Sequence, residues 1–192
     1  IGTLALQASG QGKANPSTAK RRTVALRAQD DSLALNSLAS ASNKQIKIET
    51  IIVTGDKDTL QLVSDSGQVR VYMPGRGAKG PVLYDEAAVM VDLGVTAKQI
   101  PDYKGLAGDS SDNIPGVRGV GPKTAVGLLS MFGSIEKLYS ELATSDKRQA
   151  TSLKPGLIQK LVDGKESAME SKKLATIVTD VPIKLDLKTA EV

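Results

Sequence analysis

The apolar positions change their spacing several times along the chain, and each change predicts a different element. IGTLALQASGQGK places Ile1, Leu4, Leu6 and Ala8 at intervals that suit a helix already under way. From Ala14 to Gln45 the texture turns to Ser, Ala, Thr, Asn and Lys, with a basic cluster at Lys20-Arg21-Arg22 and no aromatic residue. We read 14–45 as an insertion, helical around Thr23–Leu35. KIETIIVTGDKD follows, and its nearly continuous β-branched run from Ile48 to Val53 predicts a buried strand that stops at Thr54-Gly55. A helical turn around Thr59–Val63, a short strand in QVRVYMP, a glycine-rich loop PGRGAKGP and a second short strand in VLYD come next. DEAAVMVDLG predicts a helix with Asp85 as N-cap and Gly94 as C-cap.

After Thr96 the pattern becomes helical with glycine turns, and strand signals nearly vanish. TAKQI opens a helix that PDYKGLAG continues. KTAVGLLSMFGS is apolar-periodic and ends at Gly133, SIEKLYSEL starts from a Ser134 cap, and LIQKLVDGKESAMESKKLATIV supplies one or two more helices. The expected organisation is a mixed α/β part over 1–95 and an all-helical part over 96–192.

Composition narrows the chemistry. With 40% hydrophobic and 24% charged residues in 192, the chain has the make-up of a globular domain. It holds neither Cys nor His, which removes thiol nucleophiles, histidine triads and ordinary zinc sites. Catalysis, if present, rests on carboxylates, lysine, hydroxyls or an oxygen-held hard cation. The net charge of +4 comes from residues 1–50, with 7 basic against 3 acidic residues; residues 51–192 carry 18 of each. Charge alone therefore does not locate a polyanion partner. No apolar run reaches the roughly 20 residues of a membrane-spanning helix, so no membrane partner is expected. The chain begins with Ile1, and an earlier start is expected.

Two pairs of carboxylates stand out. Asp56 and Asp58 in VTGDKDTLQLV fall just past the predicted strand, where open α/β sheets gather ligands. Their i, i+2 spacing points both to one side if the segment is extended. Asp109 and Asp112 in GDSSDN are i, i+3, which on a helical turn shares a face. Four convergent carboxylates describe a site for Mg²⁺ or Mn²⁺ able to bind phosphate oxygens and activate water. Taken alone, each pair reads first as an ordinary polar turn or a helix cap, and it is the combination that points to metal.

The stretch that follows, IPGVRGVGPKTAVGLL, is not a Walker A loop, because Pro122 separates Gly121 from Lys123 and no strand precedes it. We read it as a helix ending near Asn113, a glycine hairpin, and a second helix opening at Lys123 or Thr124. Gly119 and Gly121 allow close backbone approach to a phosphate, the first-turn N–H groups point at it, and Lys123 adds charge. Such a helix–hairpin–helix grips a nucleic-acid backbone without reading bases. The competing reading is a plain αα-hairpin with a glycine turn.

Together, VTGDKDTLQLV, LAGDSSDNIPGVRGVGPKTAVGLL some fifty residues later and the tail SKKLATIVTDVPIKL resemble the bacterial 5′ nuclease family, over roughly residues 46–192. That family includes the 5′–3′ exonuclease domain of DNA polymerase I and flap endonucleases. The resemblance implies an α/β fold, a PIN-like mixed sheet followed by an all-helical helix–hairpin–helix (helix–three-turn–helix) domain. It implies Asp56, Asp58, Asp109 and Asp112 as catalytic metal ligands, largely of the second metal position. It also implies duplex contacts from Lys57, Gly116, Gly119, Gly121, Lys123 and Thr124, with K⁺ on hairpin carbonyls. The implied activity is Mg²⁺- or Mn²⁺-dependent phosphodiester hydrolysis at DNA 5′ ends or flaps, in replication and repair. The implied setting is a monomeric nuclease of the bacterial cytoplasm or an organelle, with a polymerase domain following in the intact protein.

The family's first Asp-bearing strand, its arch residues and its Glu-Ala-Asp-Asp motif have no counterpart here. IGTLALQAS resembles the helix just after that motif, so the chain is expected to start beyond the first metal's ligands. In a second alignment, AQDDSLALNSLAS supplies Asp30 and Asp31, with Ala28 where Glu belongs. A duplex-binding segment that cleaves nothing is therefore the alternative expectation.

Overall fold

The computed structural model describes residues 49–75, 80–143, 152–184 and 186. The expected N-terminal helix, the 14–45 insertion, Asp30 and Asp31 lie outside the described residues, as does the middle of the glycine-rich loop.

Three strands form a mixed sheet in the order β1-β2-β3. β1 (Thr50–Val53) runs parallel to β2 (Val69–Met73), with Ile52 opposite Val71, and β3 (Val82–Tyr84) lies antiparallel to β2. The alternation in β2 sends Val69, Val71 and Met73 into the core. β1 departs from the expected fully buried strand. Only Ile52 is buried, while Ile51 is 51% exposed and Val53 68%. The reason is that no described residue covers that face of β1, so its β-branched run has one packed side instead of two.

A 3₁₀ helix, Lys57–Leu62, leaves β1 directly and buries Leu60 and Leu62. α1 (Glu86–Leu93) has the caps its sequence predicts. Asp85 Oδ1 accepts from Ala88 N at 2.8 Å, and Gly94 takes the left-handed conformation with φ 72°. A short 3₁₀ turn, Ala97–Gln99, feeds α2 (Ile100–Ala107), and α3 (Pro122–Phe132), α4 (Ile135–Ala143), α5 (Pro155–Asp163) and α6 (Lys165–Ala175) complete the described helices. The element texture changes at Thr96, yet one continuous apolar cluster runs from Ile52 through Val89, Ile100 and Leu129 to Ala168.

Polar ties fasten the helices. Buried Asp102 on α2 accepts from Ile135 N at 2.9 Å, capping α4, and from Lys172 Nζ of α6 at 2.7 Å. Lys172 also reaches Glu136 at 2.7 Å. Burial lowers the Lys172 pKa, but the two carboxylates raise it further, so its net direction is upward. Gln61 joins the sheet half to the end of α6 through Ala175 O at 2.8 Å and Ile177 N at 3.0 Å.

Candidate metal centre and backbone-gripping hairpin

The turn after β1 is held by its own side chains. Asp56 N donates to Thr54 Oγ1 at 3.1 Å, Asp56 Oδ1 accepts from Asp58 N at 2.9 Å, and Thr59 Oγ1 donates to Asp56 O at 2.7 Å. Asp56 is thus the N-cap of the 3₁₀ helix, while Asp58, in its first turn, meets Lys104 of α2. Lys57 points away to Asp92, with Nζ–Oδ2 at 3.4 Å, and Tyr84 Oη donates to the same oxygen at 3.0 Å.

GDSSDN is not the helical turn its spacing suggested. α2 stops at Gly108, whose φ of 74° ends the helix, and Asp109 N and O pair with Ile114 O and N at 2.9 and 2.8 Å. Asp109 Oδ1 accepts from Ser111 N at 2.9 Å and Ser111 Oγ at 2.5 Å, and Asn113 takes φ 57°. Asx-type hydrogen bonding outcompetes the helix in this stretch. The tight loop, rather than a helix face, brings Asp109 and Asp112 to one side.

Asp58, Asp109 and Asp112 meet there, each offering an oxygen within 4.8 Å of the others. Asp56 is not in this cluster. At its centre is a residue the sequence reading missed, Lys104 of α2. Its side chain is only 9% exposed, and Nζ contacts Asp58 Oδ1, Asp109 Oδ2 at 2.6 Å and Asp112 Oδ2 at 3.5 Å. Burial raises the Asp109 pKa, but hydrogen bonds from Lys104 and Ser111 outweigh it and bring it to about 2. Tyr103, beside it, is raised by burial and then by the Asp109 charge. Three carboxylates against one ammonium leave a net charge of −2. The three carboxylates by themselves form an all-oxygen donor set of the kind that suits a hard divalent cation.

The loop between α2 and α3 divides its glycines between two tasks. Gly116 is buried with φ 61°, and an added Cβ would lie 2.2 Å from Gly108 N. Both of its backbone polar groups are taken by α6, since Gly116 N donates to Ser171 Oγ at 3.0 Å and Gly116 O accepts from Ser167 Oγ at 2.6 Å. Close internal packing is by itself enough to demand glycine at Gly116. Gly119 is exposed with φ 79°, and the stem of Lys160 from α5 lies over it, Nζ being 2.9 Å from where a Cβ would stand. Gly121 is the N-cap of α3 and faces open space, with nothing within 4 Å of an added Cβ. Pro122 carries no N–H, and the N–H groups of Lys123 and Thr124 in the first turn have no intrahelical acceptor. Lys123 is exposed and Thr124 half-buried.

The family model described as 5′-3′ exonuclease, C-terminal SAM fold, matches residues 95–192. The chain belongs to this family. It is 43% identical over 146 residues to DNA polymerase I of Chloroflexus aurantiacus, a match that takes in 76% of this chain and 15% of that protein. It is 41% identical over 157 residues to DNA polymerase I of Bacillus subtilis, covering 82% and 17%. The chain thus spans well under a fifth of the length of these curated relatives. Among solved structures, T5 5′-exonuclease with divalent metal ions (zinc) bound superposes with a TM-score of 0.54 at 22% identity, over 66% of this chain and 42% of that one. The mixed sheet followed by helices is therefore the fold of a 5′ nuclease with its SAM-like helical part.

Proposed function

We propose that this chain is part of a metal-dependent 5′ nuclease that grips duplex DNA and hydrolyses phosphodiesters at a 5′ end or flap, in replication and repair. The observation that carries the reading is the convergence within 4.8 Å of Asp58, from the turn after β1, with Asp109 and Asp112, from the loop that leads straight into the glycine hairpin. Family membership and the DNA polymerase I relatives favour the same activity. The solved T5 D15 flap endonuclease complex with DNA and metal ions shares the fold.

In this reading Asp58, Asp109 and Asp112 hold Mg²⁺ or Mn²⁺, because the donor set is all carboxylate and the sequence contains no His or Cys. When bound, the ion supplies positive charge to phosphate oxygens and makes water a stronger nucleophile. Asp56 orients Asp58 through its cap on the 3₁₀ helix. The open N-terminus of α3, with Gly121, Lys123 and Thr124, takes the DNA backbone without reading bases. K⁺ on backbone carbonyls of the 117–121 loop belongs to the same proposal. So do a monomeric state, a bacterial or organellar setting and a polymerase domain following in the intact protein.

The test is a 5′-labelled flap duplex, followed for cleavage in Mg²⁺ and for binding in Ca²⁺. The parent chain is expected to bind, and any cleavage is expected to fall at the flap junction and to vanish when Asp109 and Asp112 are both changed to Asn, with binding retained. Binding without cleavage in the parent assigns this chain the gripping role alone. Loss of binding in the double variant would make the carboxylates structural and end the metal assignment.

A further inference from the structure

A lysine with its side chain only 9% exposed, touching three carboxylates drawn from two segments, is an unusual internal cation. Without it, three carboxylates with oxygens 4.8 Å apart or less would repel one another, and the turn after β1 would lose its charged link to the loop after α2. Lys104 therefore ties Asp58 to the Asp109–Asp112 loop by charge.

A divalent ion in the same cage meets a conflict. Mg²⁺ draws oxygen ligands to about 2.0–2.1 Å and demands near-octahedral geometry. An ammonium 2.6 Å from Asp109 and 3.5 Å from Asp112 uses those same oxygens and adds like-charge repulsion at close range. The lysine stem is flexible and its head is a compact point charge without a fixed fork, so it is able to leave without unwinding α2. Asp112, 49% exposed, marks the solvent side of the cage.

We infer that Lys104 is a built-in occupant of the cation position, holding Asp58, Asp109 and Asp112 together until a divalent ion displaces it. This rests on the metal reading proposed above. Lys104 is then a positioning residue that sets a threshold for metal: the cage stays formed at low metal concentration, and loading requires the ammonium to swing out.

The experiment is Mn²⁺ binding to the 192-residue chain by calorimetry, for the parent, Lys104→Gln and Lys104→Arg. Removing the competing charge is expected to tighten Mn²⁺ binding of Lys104→Gln by about tenfold or more, while lowering the melting temperature of the metal-free protein. Lys104→Arg is expected to keep the weaker parental affinity. Unchanged or weaker Mn²⁺ binding by Lys104→Gln, with the parent still binding, would overturn the inference and leave the metal site standing. Absence of any saturable Mn²⁺ binding that depends on Asp109 would overturn the metal reading and this inference with it. A second measurement needs no lysine variant: amine labelling of the parent read by mass spectrometry. Lys104 is expected to be protected without metal and to become reactive in Mn²⁺, and protection that persists at saturating Mn²⁺ would refute displacement.

Discussion

Asp109→Asn isolates one charge in the cage. The Asn oxygen still accepts from Ser111, so the loop geometry is kept and only the ion pair with Lys104 at 2.6 Å is lost. In the folded protein the Asp109 carboxyl has a pKa of about 2 against 3.8 for the free group, and its side chain is 20% exposed. A fall of nearly two units, at about 1.4 kcal/mol per unit, contributes about 2 kcal/mol of stability. Because the folded value lies below the unfolded one, that contribution is complete above the unfolded pKa and is lost as pH falls through the folded pKa. Urea unfolding of parent and variant in EDTA is therefore expected to differ by about 2 kcal/mol at neutral pH, with about half of the difference left at pH 3. Equal stabilities at neutral pH would refute the ion-pair argument. So would a gap that does not narrow between pH 4 and pH 3, because it would then not come from the Asp109 charge.

Asp102→Ala strips the cap from α4 and a partner from Lys172 in a buried position, and urea unfolding should register a loss of about 3 kcal/mol; a change under about 1 kcal/mol would show that water replaces the carboxylate. Gly116→Ala drives a methyl into Gly108 at φ 61°, so a cost of about 3 kcal/mol is expected. Gly127→Ala, in open space on α3, should leave stability unchanged or raise it, and similar losses at both positions would contradict the packing argument. Lys123→Ala is expected to weaken duplex DNA binding equally across sequences and to lower the salt slope by about one unit. A slope identical to the parent's would remove Lys123 from the phosphate contact.

What the sequence makes legible follows the range of the interaction involved. Asp85 and Gly94 announce α1 because both caps act within four residues. The start of α3, expected at Lys123 or Thr124, falls at Pro122, one or two residues earlier. GDSSDN misleads, because spacing alone does not separate a helical turn from an Asx-type loop, and here Ser111 decides for the loop. Lys104 escaped because its reason for burial lies partly in Asp58, 46 residues upstream. A local signal was present: Lys104 follows buried Ile100 by four positions, which puts it on the inward face of α2. The packing demand on Gly116 is invisible in the sequence, because a glycine demanded by a neighbouring backbone and one demanded by a phosphate look alike there.

The two serines that hold Gly116 sit 51 and 55 positions after it. During synthesis at about 5–20 residues per second, the hairpin waits roughly 3 to 11 seconds for Ser171 to be made. Until then the Gly116 N–H lacks its serine partner, and the loop is left with local backbone bonds such as Val117 N to Leu106 O. The serine ties of the hairpin are thus completed late in translation, after the carboxylate cage has already been synthesised. A nascent chain stopped before α6 would carry Asp58, Asp109 and Asp112 beside a Gly116 still without its two serine partners.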